Sequence, residues 1–224
     1  MKEPKYQYSE NDLNRLLQEL HANPPKEIDV KSMGGYESVV AKFMLARAGL
    51  LHRALELATS ADNSISNQQV VSSSLLIRAL FETVSVFGFM YFKMLDFNKT
   101  KNIQEFETSI TKILYGSRNE TTEYTSINIL SMVDKIDKVY PNYRATYDKL
   151  SEFSHPNYTG ASLLYGTLQE KEIVTYNNLS SSHLMHKNES INDLCLCIDR
   201  LKYFIFQITD IIEVFVEIVD GIED

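Results

Sequence analysis

Through most of the chain, apolar positions recur at intervals of three and four residues, the period of a helix with one buried face. In residues 9–22, Leu13, Leu16, Leu17 and Leu20 form such a face. Ser9 can cap this helix, Asp12 occupies the capping-box position, and Asn23-Pro24-Pro25 stops it. Residues 23–35 then read as a linker closing on Gly34-Gly35. A second helix is expected from Glu37 to Ser60, with Val40, Phe43, Met44, Leu51, Ala54, Leu55 and Ala58 at helical spacing and the polar segment 61–67 as its break. A third, over residues 68–95, is apolar nearly all round, the mark of a central buried helix. Two further helices are expected at 102–115 and 122–139, separated by Gly116-Ser117. Pro141 suits the first turn of another, from Asn142 to about Ser154, which must end before Pro156. Residues 161–178 alone have strand character, and fit either a small hairpin or a long loop.

The last helix has the clearest pattern. Leu194, Leu201, Ile208, Phe215 and Ile222 are spaced by seven, and Cys197, Phe204, Ile211 and Ile218 fall between them at coiled-coil spacing. About 30 residues at 1.5 Å each make a rod of roughly 45 Å. Its seam can face the interior of a bundle or a second copy of the chain; the bulky Phe residues suit an irregular core better than a dimeric zipper. The expected fold class is therefore all-α: an up-and-down helical bundle with a long C-terminal helix and room for one small β-hairpin. Residues 1–35 form an N-terminal helix and linker, and residues 36–224 the bundle domain.

Composition agrees. With 44% hydrophobic residues in 224, the chain can build one full core, and only 8 Gly and 5 Pro leave little material for the turns of a sandwich or barrel. The net charge of −8 disfavours long-range capture of nucleic acid. The bias is strongest at the end: residues 190–224 hold eight acids against Arg200 and Lys202. Cys195 and Cys197 would diverge on a helix, so no disulfide is expected, which fits a reducing cytoplasmic compartment. The N-terminus has no apolar signal-peptide core. The two most apolar stretches, 71–95 and 201–219, are interrupted by charges and read as core helices rather than membrane spans.

Three constellations could carry chemistry. His155 ends a helix next to Pro156; a helix C-terminus favours the imidazolium, and such a His can serve as general acid or base or simply cap the helix. Arg78 and Glu82 lie one turn apart in the apolar third helix, where a charge needs a partner: they can satisfy each other, or Arg78 can offer its planar fork to a phosphate. His183, His186, Cys195 and Cys197 are metal-ligating types, but their spacing matches no common zinc module. No phosphate-binding glycine loop, H-E-x-x-H or G-x-S-x-G motif is present, and no metal or cofactor is expected.

A helix carrying R-A-L-F-E (Arg78–Glu82), followed some 70 residues later by Y-x-x-L-S-E-F-S-H-P (Tyr147–Pro156), resembles a group of bacterial HEPN-like proteins (higher eukaryotes and prokaryotes nucleotide-binding). The resemblance covers roughly residues 36–220. It implies a helical bundle that forms homodimers and, in many members, a metal-independent endoribonuclease of toxin–antitoxin or defence systems with an R-x4–6-H motif. On that implication His155, Arg78 and Lys149 would be catalytic, assisting attack of a ribose 2′-OH on the adjacent phosphate, and Glu82, Tyr147, Ser151 and Arg144 would help bind. This chain departs from the motif: the spaced cation before His155 is Lys149, a poorer bidentate clamp than Arg, and the nearest arginine, Arg144, lies eleven residues upstream. Arg47-x4-His52 has the spacing but lies in the second helix, and a chain with seven Arg and five His yields such matches by chance.

Two functions therefore compete. An RNA- or nucleotide-acting effector predicts that His155, Arg78 and Lys149 converge in one cleft. A non-catalytic bundle that dimerises or binds a protein partner predicts that Arg78, Glu82 and His155 are buried and hydrogen-bonded to one another. Neither involves a membrane.

Overall fold

The computed structural model describes residues 8–22, 24–169, 173–176 and 183–223, with backbone only at 163, 183–185 and 223. The helices are α1 (Glu10–His21), α2 (Val39–Ser66), α3 (Val70–Thr100), α4 (Ile103–Tyr115), α5 (Ile129–Asp137), α6 (Tyr143–Ser154) and α7 (His183–Glu223). A 3-10 turn at Lys31–Met33, a π turn at Tyr158–Leu163 and the strands β1 (Gly166–Leu168) and β2 (Val174–Tyr176) complete them. The fold is all-α, with a long C-terminal helix and one small antiparallel hairpin pairing Thr167 with Thr175. Residues 170–172, 177 and 178 of the expected strand segment lie outside the described residues.

The chain divides into two compact units. The first comprises Met1–Ala22, Leu55–Phe81 and Tyr140–Asp199; the second comprises Asn23–Ala54, Glu82–Val139 and Arg200–Asp224. In the first unit, Ser9 and Asp12 form the capping box of α1, and Leu13, Leu16 and Leu20 are buried. Tyr8 anchors the chain ahead of α1 by donating its N–H to Asn192 Oδ1 and its hydroxyl to Asp199 Oδ2. α2 continues six residues beyond its expected end because Ala61 and Ile65 extend the buried row of Ala54 and Ala58, so burial overrides the weak helix propensity of Asp62, Asn63 and Ser64. It stops where Gln68 takes a positive φ of 59°.

In the second unit Phe43, Phe97, Phe106 and Phe215 form one aromatic cluster with centroid separations of 5.0–6.1 Å. A Cβ on Gly88 would lie 2.2 Å from Ile136 Cδ1 and 2.9 Å from Phe204 Cζ, so the missing side chain lets α5 and α7 close on α3. The helix expected at 122–139 is confined to Ile129–Asp137. Ahead of it Thr122 bonds Ser117 and the carbonyls of Tyr115 and Tyr124, and Ser117 bridges to Thr125. These hydroxyls offer the backbone partners that a helix would not. Asn128 then caps α5 through Leu130 N–H at 2.9 Å.

α3 is the one described helix long and apolar enough to cross a membrane by length and composition; 56% of its most apolar window is buried inside the protein. Along α7, Leu194, Cys197, Leu201, Phe204, Ile208 and Phe215 are fully buried, so this part of the seven-residue pattern faces the protein's own interior. Ile222, at the end of the pattern, is 42% exposed.

Candidate functional site

α6 carries most of the residues singled out from sequence, and its placement in the first unit decides what they can do. Two tyrosines one turn apart hold it against α3. The Tyr143 hydroxyl donates to the Phe81 carbonyl at 2.7 Å, and its ring lies 4.7 Å from that of Phe81. Arg78 donates through Nη2 to the Tyr147 hydroxyl at 3.1 Å, with its guanidinium carbon 5.3 Å from the ring centroid. Because Tyr143 meets residue 81 and Tyr147 meets residue 78, the two helices run antiparallel. The R-A-L-F-E and Y-x-x-L-S-E-F-S-H-P segments thus meet, and they do so through a cation–aromatic contact in which Tyr147 is buried.

Lys149 points the other way, to α7. Its Nζ lies 2.7 Å from Asp193 Oδ2. Asp193 is only 8% exposed, and burial pushes its carboxyl upward from the usual carboxylate range while the Lys149 charge pulls it back. Arg144 meets both carboxylate oxygens of Asp148, one turn on, at 2.9 and 3.0 Å. Ser151 donates to the Tyr147 carbonyl at 2.9 Å, a bond within its own helix. Glu82 is half-buried on α3 and belongs to the second unit.

His155 is the C-cap of α6, in extended conformation (φ −94°, ψ 142°), as the following Pro156 demands. Its side chain is exposed, and among the described residues its one donated hydrogen bond is the backbone N–H to the Glu152 carbonyl at 3.4 Å. Eight residues of helix separate it from Tyr147, a rise of about 12 Å. Among the described residues no hydrogen bond joins the Arg78 guanidinium to the His155 imidazole. The turn beyond His155 is tight: Asn157 caps the π turn through Gly160 N–H at 2.9 Å, and a Cβ on Gly160 would sit 2.1 Å from the His155 carbonyl oxygen.

The cysteines are poor ligands and nucleophiles. Burial, with help from Asp12 and Asp199, pushes the Cys195 thiol up to about 12, and burial holds Cys197 well above its ordinary value. His186 is buried and packs edge-on against Phe153 at 5.3 Å, linking the end of α6 to α7; the His183 side chain lies outside the described residues. Among the described residues no group of three or more His, Cys, Asp or Glu is placed to hold a metal ion.

Sequence reasoning missed Asp193 and Tyr143. A signal for Asp193 existed, since it is the one charge within the run from Ile191 to Ile198. Chemically, the arrangement clamps α6 between α3 and α7 and leaves an exposed imidazole at its end. No family profile matches the chain, and no curated protein or solved structure is detectably similar to it.

Proposed function

We propose that the chain is a non-catalytic helical-bundle interaction module of HEPN-like type, which works by binding another protein. The Lys149–Asp193 pair carries this reading. The cation that replaces the family arginine is bonded to a buried acid of the same chain. A phosphate recruiting Lys149 would strand that carboxylate away from water. Stranding one member of a buried pair costs about 3–5 kcal/mol when both are buried, and less here because Lys149 is 41% exposed. Arg144 and Arg78 are engaged by Asp148 and Tyr147, and the net charge of −8 opposes RNA capture.

One observation favours the ribonuclease reading: the exposed His155 imidazole is open to a substrate. A single assay separates the two. Purified protein is incubated with single-stranded RNA in chelator, beside His155→Ala. The module reading predicts no cleavage that depends on His155. Cleavage by the wild type, lost in His155→Ala at an unchanged melting temperature, would establish the ribonuclease instead.

A further inference from the structure

The outer face of α7 in the second unit carries exposed apolar and acidic side chains together. Its inward residues Leu201, Phe204, Ile208, Phe215 and Val219 are fully buried, yet Tyr203, Phe206 and Val214 on the opposite side are 41%, 65% and 50% exposed. Asp210, Glu213, Glu217 and Asp220 share that side, all exposed. The spacing of three, four and three residues sets these acids in one ridge, and at about 100° per residue acids and apolar groups together occupy roughly 120° of the helix. Among the described residues none of the four acids has an ion-pair partner. Arg47 borders the ridge, but it donates to Thr209 Oγ1 at 3.0 Å and not to an acid.

Like charges one turn apart repel each other along a helix, and large exposed apolar side chains favour burial. One occupant relieves both. A second copy laid face to face would bring the same carboxylates together, since a two-fold contact joins one patch to itself. Nucleic acid and anionic lipid surfaces carry the same sign as the ridge. A helix with Leu or Ile on one stripe and Lys or Arg beside it supplies the apolar cover and the missing positive charge together. We infer that residues 203–220 of α7 form a docking face for a basic amphipathic helix of another protein. This deepens, and rests on, the interaction-module reading.

The probe is a fluorescent Leu/Lys peptide of about 18 residues, or five turns, patterned as an amphipathic helix, with a scrambled peptide of equal composition as its control. Anisotropy measures binding to the full chain at physiological salt. The variants are Phe206→Ser and Glu213→Gln/Glu217→Gln; the control is Glu27→Gln/Glu123→Gln, two exposed acids elsewhere. The expected result is binding at least about tenfold weaker for the scrambled peptide and for both α7 variants, with the control unchanged. Melting curves verify that these surface variants fold. Equal binding of patterned and scrambled peptides, or wild-type affinity in both α7 variants, overturns the proposal. So does a wild-type dimer that Phe206→Ser converts to monomer, because a second copy would then be the occupant. Failure here with no RNA cleavage discards this face alone, whereas His155-dependent cleavage discards the module reading itself.

Discussion

Lys149→Met should destabilise the protein in a way that depends on pH. The substitution keeps most of the aliphatic stem but removes the ammonium 2.7 Å from Asp193 Oδ2. Lys149 reaches solvent, with 41% of its side chain exposed, whereas the side chain of Asp193 is 11% exposed. The pair is therefore asymmetric: a lysine left alone finds water, and an aspartate left alone does not. Discounting the cost of a broken fully buried pair for the exposed lysine gives about 1–3 kcal/mol at neutral pH, and a loss of about 2 kcal/mol would lower the melting temperature of a chain this size by roughly 4–8 °C. Asp193 sits above its unfolded value because of burial, and without Lys149 it rises further. A carboxyl raised in the folded state favours folding when protonated, and that advantage is lost as pH climbs from the unfolded value through the folded one. The deficit of Lys149→Met should thus be full at pH 7–8 and shrink on acidification, as protonation removes the stranded charge. Urea denaturation of wild type and variant from pH 4 to 8 measures this. A deficit that stays constant across that range, or no deficit at pH 7, would refute the pairing of Lys149 with a buried acid.

Tyr147→Phe removes the acceptor of the Arg78 bond and should cost about 1–1.5 kcal/mol by denaturation, as should Tyr143→Phe, which removes the hydroxyl that donates to the Phe81 carbonyl. Gly88→Ala forces a methyl into Ile136 and Phe204, so its melting should report a loss of about 1–3 kcal/mol from overpacking. Iodoacetamide should leave Cys195 and Cys197 largely unmodified in the folded protein at pH 8 and alkylate both in denaturant; rapid labelling of the folded chain would contradict their burial.

The fold was legible wherever local signals agreed. Ser9 and Asp12 announce the start of α1, Pro156 marks the end of α6, and the seven-residue spacing of Leu194 to Phe215 marks the inner face of α7. It was illegible where burial decided against local preference. Ala61 and Ile65 carry α2 through a polar segment, and Thr122 draws its neighbours into a loop instead of a helix. The site shows the same division. Two distant motifs pointed to each other, and Arg78 does meet Tyr147. That Lys149 is bonded to Asp193 depends on how α7 packs beside α6, which residue spacing within either helix does not encode.

The claim that the cations of α6 serve the fold and not a phosphate is tested most directly by RNA binding. Labelled single-stranded RNA is titrated with the protein at low ionic strength, where phosphate contacts are strongest. The predicted result is no saturable binding by wild type, Lys149→Met or His155→Ala. Saturable binding by the wild type that both substitutions abolish would contradict it.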